Sequence, residues 1–183
     1  MDDFNEKEVL ALLQDPARYR DAFEKIVKHY NEQLYWQIRR MVLDHDDAND
    51  ILQNTFLRAW DNIEYFRGEA KLSTWLYRIA FNECLSFLNK KKAENNTSID
   101  DQGAQMVNQL ESDANFEGDE IQILFQKALH TLPEKQRIVF NMKYFQNMKY
   151  EQISDIVGTS VGALKASYHH AVKKITDFLK EQV

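Results

Sequence analysis

Between residues 72 and 92, in "LSTWLYRIAFNECLSFLNKKK", hydroxyl, guanidinium and amide side chains recur at Thr74, Arg78, Asn82, Ser86 and Asn89. At ~100° per residue these positions form one narrow polar stripe on an otherwise apolar helix. Phe66 and Trp75 supply rings nearby, and Arg67, Lys71 and Arg78 supply cations. Hydroxyls and amides for base edges, rings for stacking and cations for phosphates are what a track for unpaired bases needs. A plainer reading stands beside it: the stripe could line a shallow groove between helices or meet water. Composition alone leaves both open.

A second cluster lies near the C-terminus. "YEQISDIVGTSVGALKASYHHAVKKITDFL" reads as helix, short turn, helix, with Gly158 suited to a left-handed C-cap and Ser160 to an N-cap. On the final helix Val161, Leu164, Tyr168, Ala171, Val172 and Ile175 make the inward stripe. Gly162, Ala163, Ala166, His170 and Lys173 lie opposite, flanked by Lys165, Ser167, His169 and Lys174. A helix-turn-helix inserts the start of its second helix into the major groove, where small residues permit close approach and cations further on reach phosphates. A Lys-rich solvated hairpin fits the same spacing. His169 and His170 are adjacent and do not share a helix face, so they suggest no metal site.

Other chemistry finds little support. There is no Gly-rich phosphate loop and no Ser/His/Asp order of a hydrolase, and the expectation is a protein that is not an enzyme and needs no cofactor or metal. Asp46, Asp47 and Asp50 read as solvated carboxylates on a polar helix face. The single cysteine, Cys84, excludes an internal disulfide and reads as a core thiol.

The elements that must position these residues are helical. The chain of 183 residues is 44% apolar, with only five glycines and two prolines, and its long runs follow the 3.6-residue period, so the expected fold class is all-α. Phe23, Ile26, Val27, Tyr30 and Leu34 mark one amphipathic helix, continued or restarted by Ile38, Met41 and Val42. Ala48, Ile51, Leu52, Thr55, Phe56, Ala59, Trp60 and Ile63 mark the next, whose outer face carries Asp47, Asp50, Gln53, Asn54 and Arg58. Thr131 and Glu134, with Pro133 between them, have capping-box spacing. No run approaches the ~20 apolar residues of a membrane span, and a cytoplasmic protein is expected.

Net charge is −6 but unevenly spread. Residues 67–92 carry six basic side chains against two acidic ones, residues 93–120 carry eight acids and no base, and residues 131–183 carry eight bases against five acids. The middle segment has no helical apolar period and too little apolar surface to offset the entropy of ordering, so it reads as a flexible acidic linker. Two small helical domains, 1–92 and 121–183, follow, joined by 93–120. A linker of that length has a mean span of about 30 Å, enough for the domains to grip separate points on one object.

"DANDILQNTFLRAW", "FRGEAKLSTWLYRIAFN" and "LPEKQRIVFNMKYFQNMKYEQISDIVGTSVGALKASYHHAVKKI" together resemble the extracytoplasmic-function group of bacterial RNA polymerase sigma factors. The resemblance runs over roughly 20–92 and 121–178, in family order. It implies a factor that binds core RNA polymerase, at the β′ coiled coil and β flap, and directs initiation at promoter DNA, with an anti-sigma factor as a further possible partner. The first domain would be sigma region 2, docking polymerase through Asp47, Asp50, Gln53 and Asn54. It would read the melted −10 element through Phe66, Arg67, Lys71, Trp75, Arg78, Asn82 and Ser86, with Asn82 near a flipped base. The second would be sigma region 4, reading the −35 duplex through Gly162, Ala163, Lys165, Ala166, Ser167, His169, His170 and Lys173. The family usually has glutamate in place of Asn54, arginines in place of Lys165, Ser167 and His170, and a capping serine in place of Lys149.

Two rivals remain from the residues themselves. A self-sufficient helix-turn-helix regulator would leave the first domain's motifs unused and usually needs a dimerisation element, and none is evident. A pure interaction module would leave both DNA-facing surfaces idle.

Overall fold

A computed structural model of the chain describes residues 4–42, 44–95 and 120–182. Among them every regular element is helical, as the periodicity requires: α1 Glu6–Leu12, α2 Tyr19–Val42, α3 His45–Asn62, a 3₁₀ turn Ile63–Tyr65, α4 Leu72–Asn95, α5 Glu120–His130, α6 Glu134–Phe140 running into a π turn Asn141–Phe145, α7 Tyr150–Val157 and α8 Val161–Glu181. Of the expected linker, 93–120, residues 96–119 lie outside the described residues, while 93–95 continue α4 and Glu120 opens α5.

The first bundle is built from α2, α3 and α4. Ile26, Leu34, Ile38 and Val42 of α2 are fully buried against Ala48, Ile51 and Ala59 of α3 and Leu72, Leu76, Ala80 and Cys84 of α4. The α2 pattern that could have restarted at Leu34 is one unbroken helix. Thr55, buried in the same interface, donates its hydroxyl to the Ile51 carbonyl at 2.8 Å, so its polar atom is satisfied within the helix. Burial pushes the Cys84 thiol up, with Glu83 adding to the shift, which keeps it protonated and inert as a core thiol should be.

Helix α1, which the sequence pattern did not single out, starts at the N-cap Asn5, whose side chain accepts from the Lys7 and Glu8 amides. Its Glu6 carboxylate accepts the Leu72 amide at 3.0 Å, so a side chain 66 residues away caps α4, which has no capping residue of its own.

In the second bundle Ala128, Leu129 and Leu132 meet Phe140, Ala171 and Ile175. Gly158 ends α7 at φ 70°, its amide bonded to the Ser154 carbonyl at 2.8 Å, and Ser160 begins α8 by accepting the Ala163 amide. Both match the sequence reading. Two local expectations do not hold. Thr131 does not cap α6; its hydroxyl donates back to the Ala128 carbonyl at 2.7 Å, ending α5 instead, and Pro133 occupies the N-cap. Val172 is 38% exposed, because the inward stripe of α8 runs through Leu164, Ala171 and Ile175 and leaves Val172 at its edge.

The two bundles are in contact. Ile138, Val139, Met142, Met148, Ile153, Ile156 and Leu164 of the second belong to the same continuous apolar cluster as the first bundle's core.

His130 and Arg137 are both buried, and the Arg137 guanidinium donates to His130 Nδ1 at 3.0 Å. Burial, reinforced by the Arg137 charge, holds the His130 pKa well below the usual 6.5, so the folded state contains neutral imidazole. Protonation is favoured only in the unfolded chain, so this contribution is intact above the ordinary histidine pKa and declines as pH falls below it. Thermal melts are expected to show stability falling by up to about 1 kcal/mol per pH unit between roughly pH 6.5 and 5 from this group, and His130→Gln is expected to flatten that slope.

Candidate nucleic-acid interface

The loop between α3 and α4 turns at Gly68, whose φ of 71° a side chain would strain although a Cβ would meet nothing there. The turn presents Arg67 and Lys71 to solvent and brings Phe66 beside Trp75, ring centroids 5.4 Å apart. On α4, Asn82 and Ser86 are exposed, as the stripe predicts. Glu83, which interrupts that stripe with a negative charge, is paired with Arg58 of α3, so the carboxylate beside Asn82 is neutralised. The first two stripe positions are not open to solvent in the same way. Thr74 is buried and accepts a hydrogen bond from Gln152, and Arg78 donates to the Asp155 carbonyl. Phe66, Arg67, Lys71, Trp75, Asn82 and Ser86 therefore lie along one open edge, while Arg78 is exposed but already engaged by the second bundle.

On the outer face of α3, Asp50, Gln53 and Asn54 are exposed together. Asp47 is set apart: it is half-buried, and its carboxylate pairs with Lys91 of α4 at 2.8 Å. Sequence reasoning missed Leu57, which is 61% exposed and falls on the same face one turn beyond Gln53 and Asn54. Its apolar type made it a core candidate by composition; its phase, offset from Ala48, Ile51, Thr55 and Ala59, was the available signal.

Helix α8 presents the other candidate set. Gly162, Ala163, Lys165, Ala166, His169, His170 and Lys173 are all exposed, within an arc of about 160° of the helix. Ser167 is half-buried at the border of that arc. Lys165 is drawn toward the Tyr150 ring of α7, Nζ 5.8 Å from its centroid, with Lys143 on the same ring at 5.1 Å. Tyr150 thus gathers two cations beside the start of α8. The His169 and His170 rings stand 6.0 Å apart, and no cluster of three or more metal-ligating side chains occurs among the described residues.

The sequence matches the sigma-70 region 2 family over residues 26–94 and sigma-70 region 4 over residues 122–175. It is 31% identical to the ECF RNA polymerase sigma factor SigW of Bacillus subtilis, over 88% of this chain and 91% of that protein. It is 27% identical to the RNA polymerase sigma-H factor of Pseudomonas aeruginosa, over 87% and 86%. The fold is similar to that of the sigma factor RpoE solved with the anti-sigma factor NepR from Bartonella quintana (TM-score 0.68, 23% identity, 86% of this chain and 96% of that one). It is also similar to CnrH solved with the cytosolic domain of CnrY (TM-score 0.71, 18% identity, 97% and 99%). The chain belongs to the extracytoplasmic-function sigma factors of the sigma-70 family.

Gly162 tests whether α8 makes a close approach. A Cβ there would touch nothing in the protein, so internal packing does not demand glycine. Gly162→Ala is expected to leave stability in thermal melts unchanged or raised by up to about 1 kcal/mol of helix propensity, while weakening −35-dependent initiation in a transcription assay.

Proposed function

We infer that this chain is an initiation factor: it binds core RNA polymerase and directs promoter-specific transcription, reading the −35 element as duplex and the −10 element as melted strand. The observation that carries this is the presence of both sigma regions, in order, in one chain. Its acidic total is compatible with the role, because two modest contacts on one chain, completed by polymerase, need not bind DNA tightly alone.

Residue roles follow from accessibility and type. Asp50, Gln53 and Asn54 form the polymerase-docking face, with Leu57 as its apolar centre and Asp47 contributing through its pair with Lys91. Arg67 and Lys71 hold phosphates, Phe66 and Trp75 stack, Arg78 adds a cation once freed from the second bundle, and Asn82 and Ser86 meet base edges of the −10 strand. On α8, Gly162, Ala163 and Ala166 allow close approach to the −35 groove. Lys165 and Lys173 contact phosphates, and Ser167, His169 and His170 offer hydrogen bonds. With lysine and histidine where bidentate arginine would read guanine, shape and phosphate contacts carry more of the recognition. The factor acts without catalysis of its own, in the cytoplasm, and an anti-sigma factor of the class that RpoE binds is a further partner.

Purified chain added to core polymerase on genomic DNA is expected to yield a defined set of transcript starts sharing −35 and −10 sequences; random starts would refute the reading. Asn82→Ala is expected to lower open-complex formation, read by permanganate footprinting, with polymerase affinity nearly unchanged; an equal fall in both would remove Asn82 from the DNA face. Asp50→Lys is expected to weaken holoenzyme assembly about tenfold or more, the scale of losing one well-placed charge contact, measured by competition against the parent chain.

A further inference from the structure

Two amide bonds frame the loop that leads into α4. At its start the Phe66 amide donates to the Ile63 carbonyl at 3.1 Å, and at its end the Leu72 amide donates to the Glu6 carboxylate at 3.0 Å. Among the described residues, no amide from Arg67 to Lys71 makes a hydrogen bond, and all five residues are exposed. Lys71, at the N-cap position of α4, carries no side-chain acceptor, so the helix cannot cap itself. Its first amide depends on a residue from another element.

That element, α1, is fixed to the bundle through contacts away from the loop. Val9 is buried in the common core, Leu12 and Leu13 pack against it, and Phe4 stacks on His29 of α2 with ring centroids 3.9 Å apart. Seven residues do not hold as a helix alone, so these contacts and the Asn5 cap are what place half-buried Glu6. Further along α1, Leu10, Leu13 and Gln14 face Ile63, Phe66 and Gly68 across a space of about 180 Å³. The start of the loop is therefore loosely packed, and its firm end is the one that Glu6 holds.

We propose that Glu6 is a positioning residue for reading the −10 strand, acting through the Leu72 amide rather than on the strand itself. Lys71 stands immediately before that amide and Trp75, with Phe66 beside it, one turn after, so the bond fixes the direction of the phosphate contact and of the stacking pair together. Without the carboxylate the first turn of α4 frays and the loop samples several positions. Attraction of phosphates carries no sequence information and survives such movement, whereas contacts to bases need exact placement. Loss of Glu6 is thus expected to cost discrimination between −10 sequences. The proposal rests on the reading of the loop and α4 as the single-strand face.

The test compares Glu6→Met with Glu6→Gln, both neutral, unbranched and of similar length; only glutamine keeps an oxygen for the Leu72 amide. Each is checked for parental helicity and assembled into holoenzyme. Open-complex formation is then read by permanganate footprinting on a promoter recovered from the genomic transcript starts and on its single-base −10 substitutions. The readout is the ratio between the two. A smaller folded fraction scales every promoter alike and leaves that ratio unmoved. Glu6→Met is expected to lower the ratio about fivefold, the scale of one lost helix cap, and Glu6→Gln to stay within about twofold of the parent. An unchanged ratio in Glu6→Met, or an equal fall in both variants, would overturn the proposal. If Asn82→Ala alters the footprint while Glu6→Met leaves the ratio unmoved, only the role of Glu6 falls; if neither has an effect, the single-strand reading of α4 falls with it.

Discussion

Burial of α4 on two sides is the constraint from which the remainder of the structure follows. Leu72, Leu76, Ala80 and Cys84 are enclosed, with Tyr77 and Phe81 buried beside them, while Trp75, Ile79, Leu85 and Leu88 are partly covered. At roughly 1.5–3 kcal/mol per fully buried large side chain, this packing outweighs the local preferences of the polar residues between them. What is left up to Ser86 is a strip with one exposed residue per turn, Arg78, Asn82 and Ser86. Any surface that α4 offers must be linear, and its side chains must stand in single file about 6 Å apart along the axis. That geometry suits a strand of unstacked nucleotides better than a duplex groove, whereas α8, anchored on one side only, presents a broad face suited to a duplex.

Charge is arranged to the same end. Arg58 of α3 cancels the charge of Glu83 on α4, and Lys91 takes up Asp47 on the neighbouring helix. Arg67 and Lys71 in the loop and Lys173 on α8 stay exposed, outside these pairs. Each pair keeps one member in contact with solvent, and such pairs contribute little to stability, typically under about 1 kcal/mol; their effect is to set the local field.

Much of this was legible in the sequence because it follows from helical phase. The burial of α4, the outer face of α3, the left-handed Gly158 and the Ser160 cap all depend on residues within a turn or two of each other. The parts that were not legible depend on distant partners. Glu6 caps Leu72 across the fold, Thr131 chose the carbonyl behind it over the amide ahead, and Leu57 reads as core until the phase of its neighbours is fixed. The docking of α7 on α4 is of the same kind: Thr74, Arg78 and Gln152 have no local reason to meet. A pattern of apolar residues shows that a face is covered and not by what.

The Arg78 contact carries one last implication. Its acceptor is a main-chain oxygen, so nothing in the identity of residue 155 is needed to preserve it. Relatives could exchange that aspartate freely and still keep the clasp, provided that the arginine and the end of the short helix stay where they are. A search for paired substitutions across the two bundles would be blind at this point, and the grip would be found only by following the backbone.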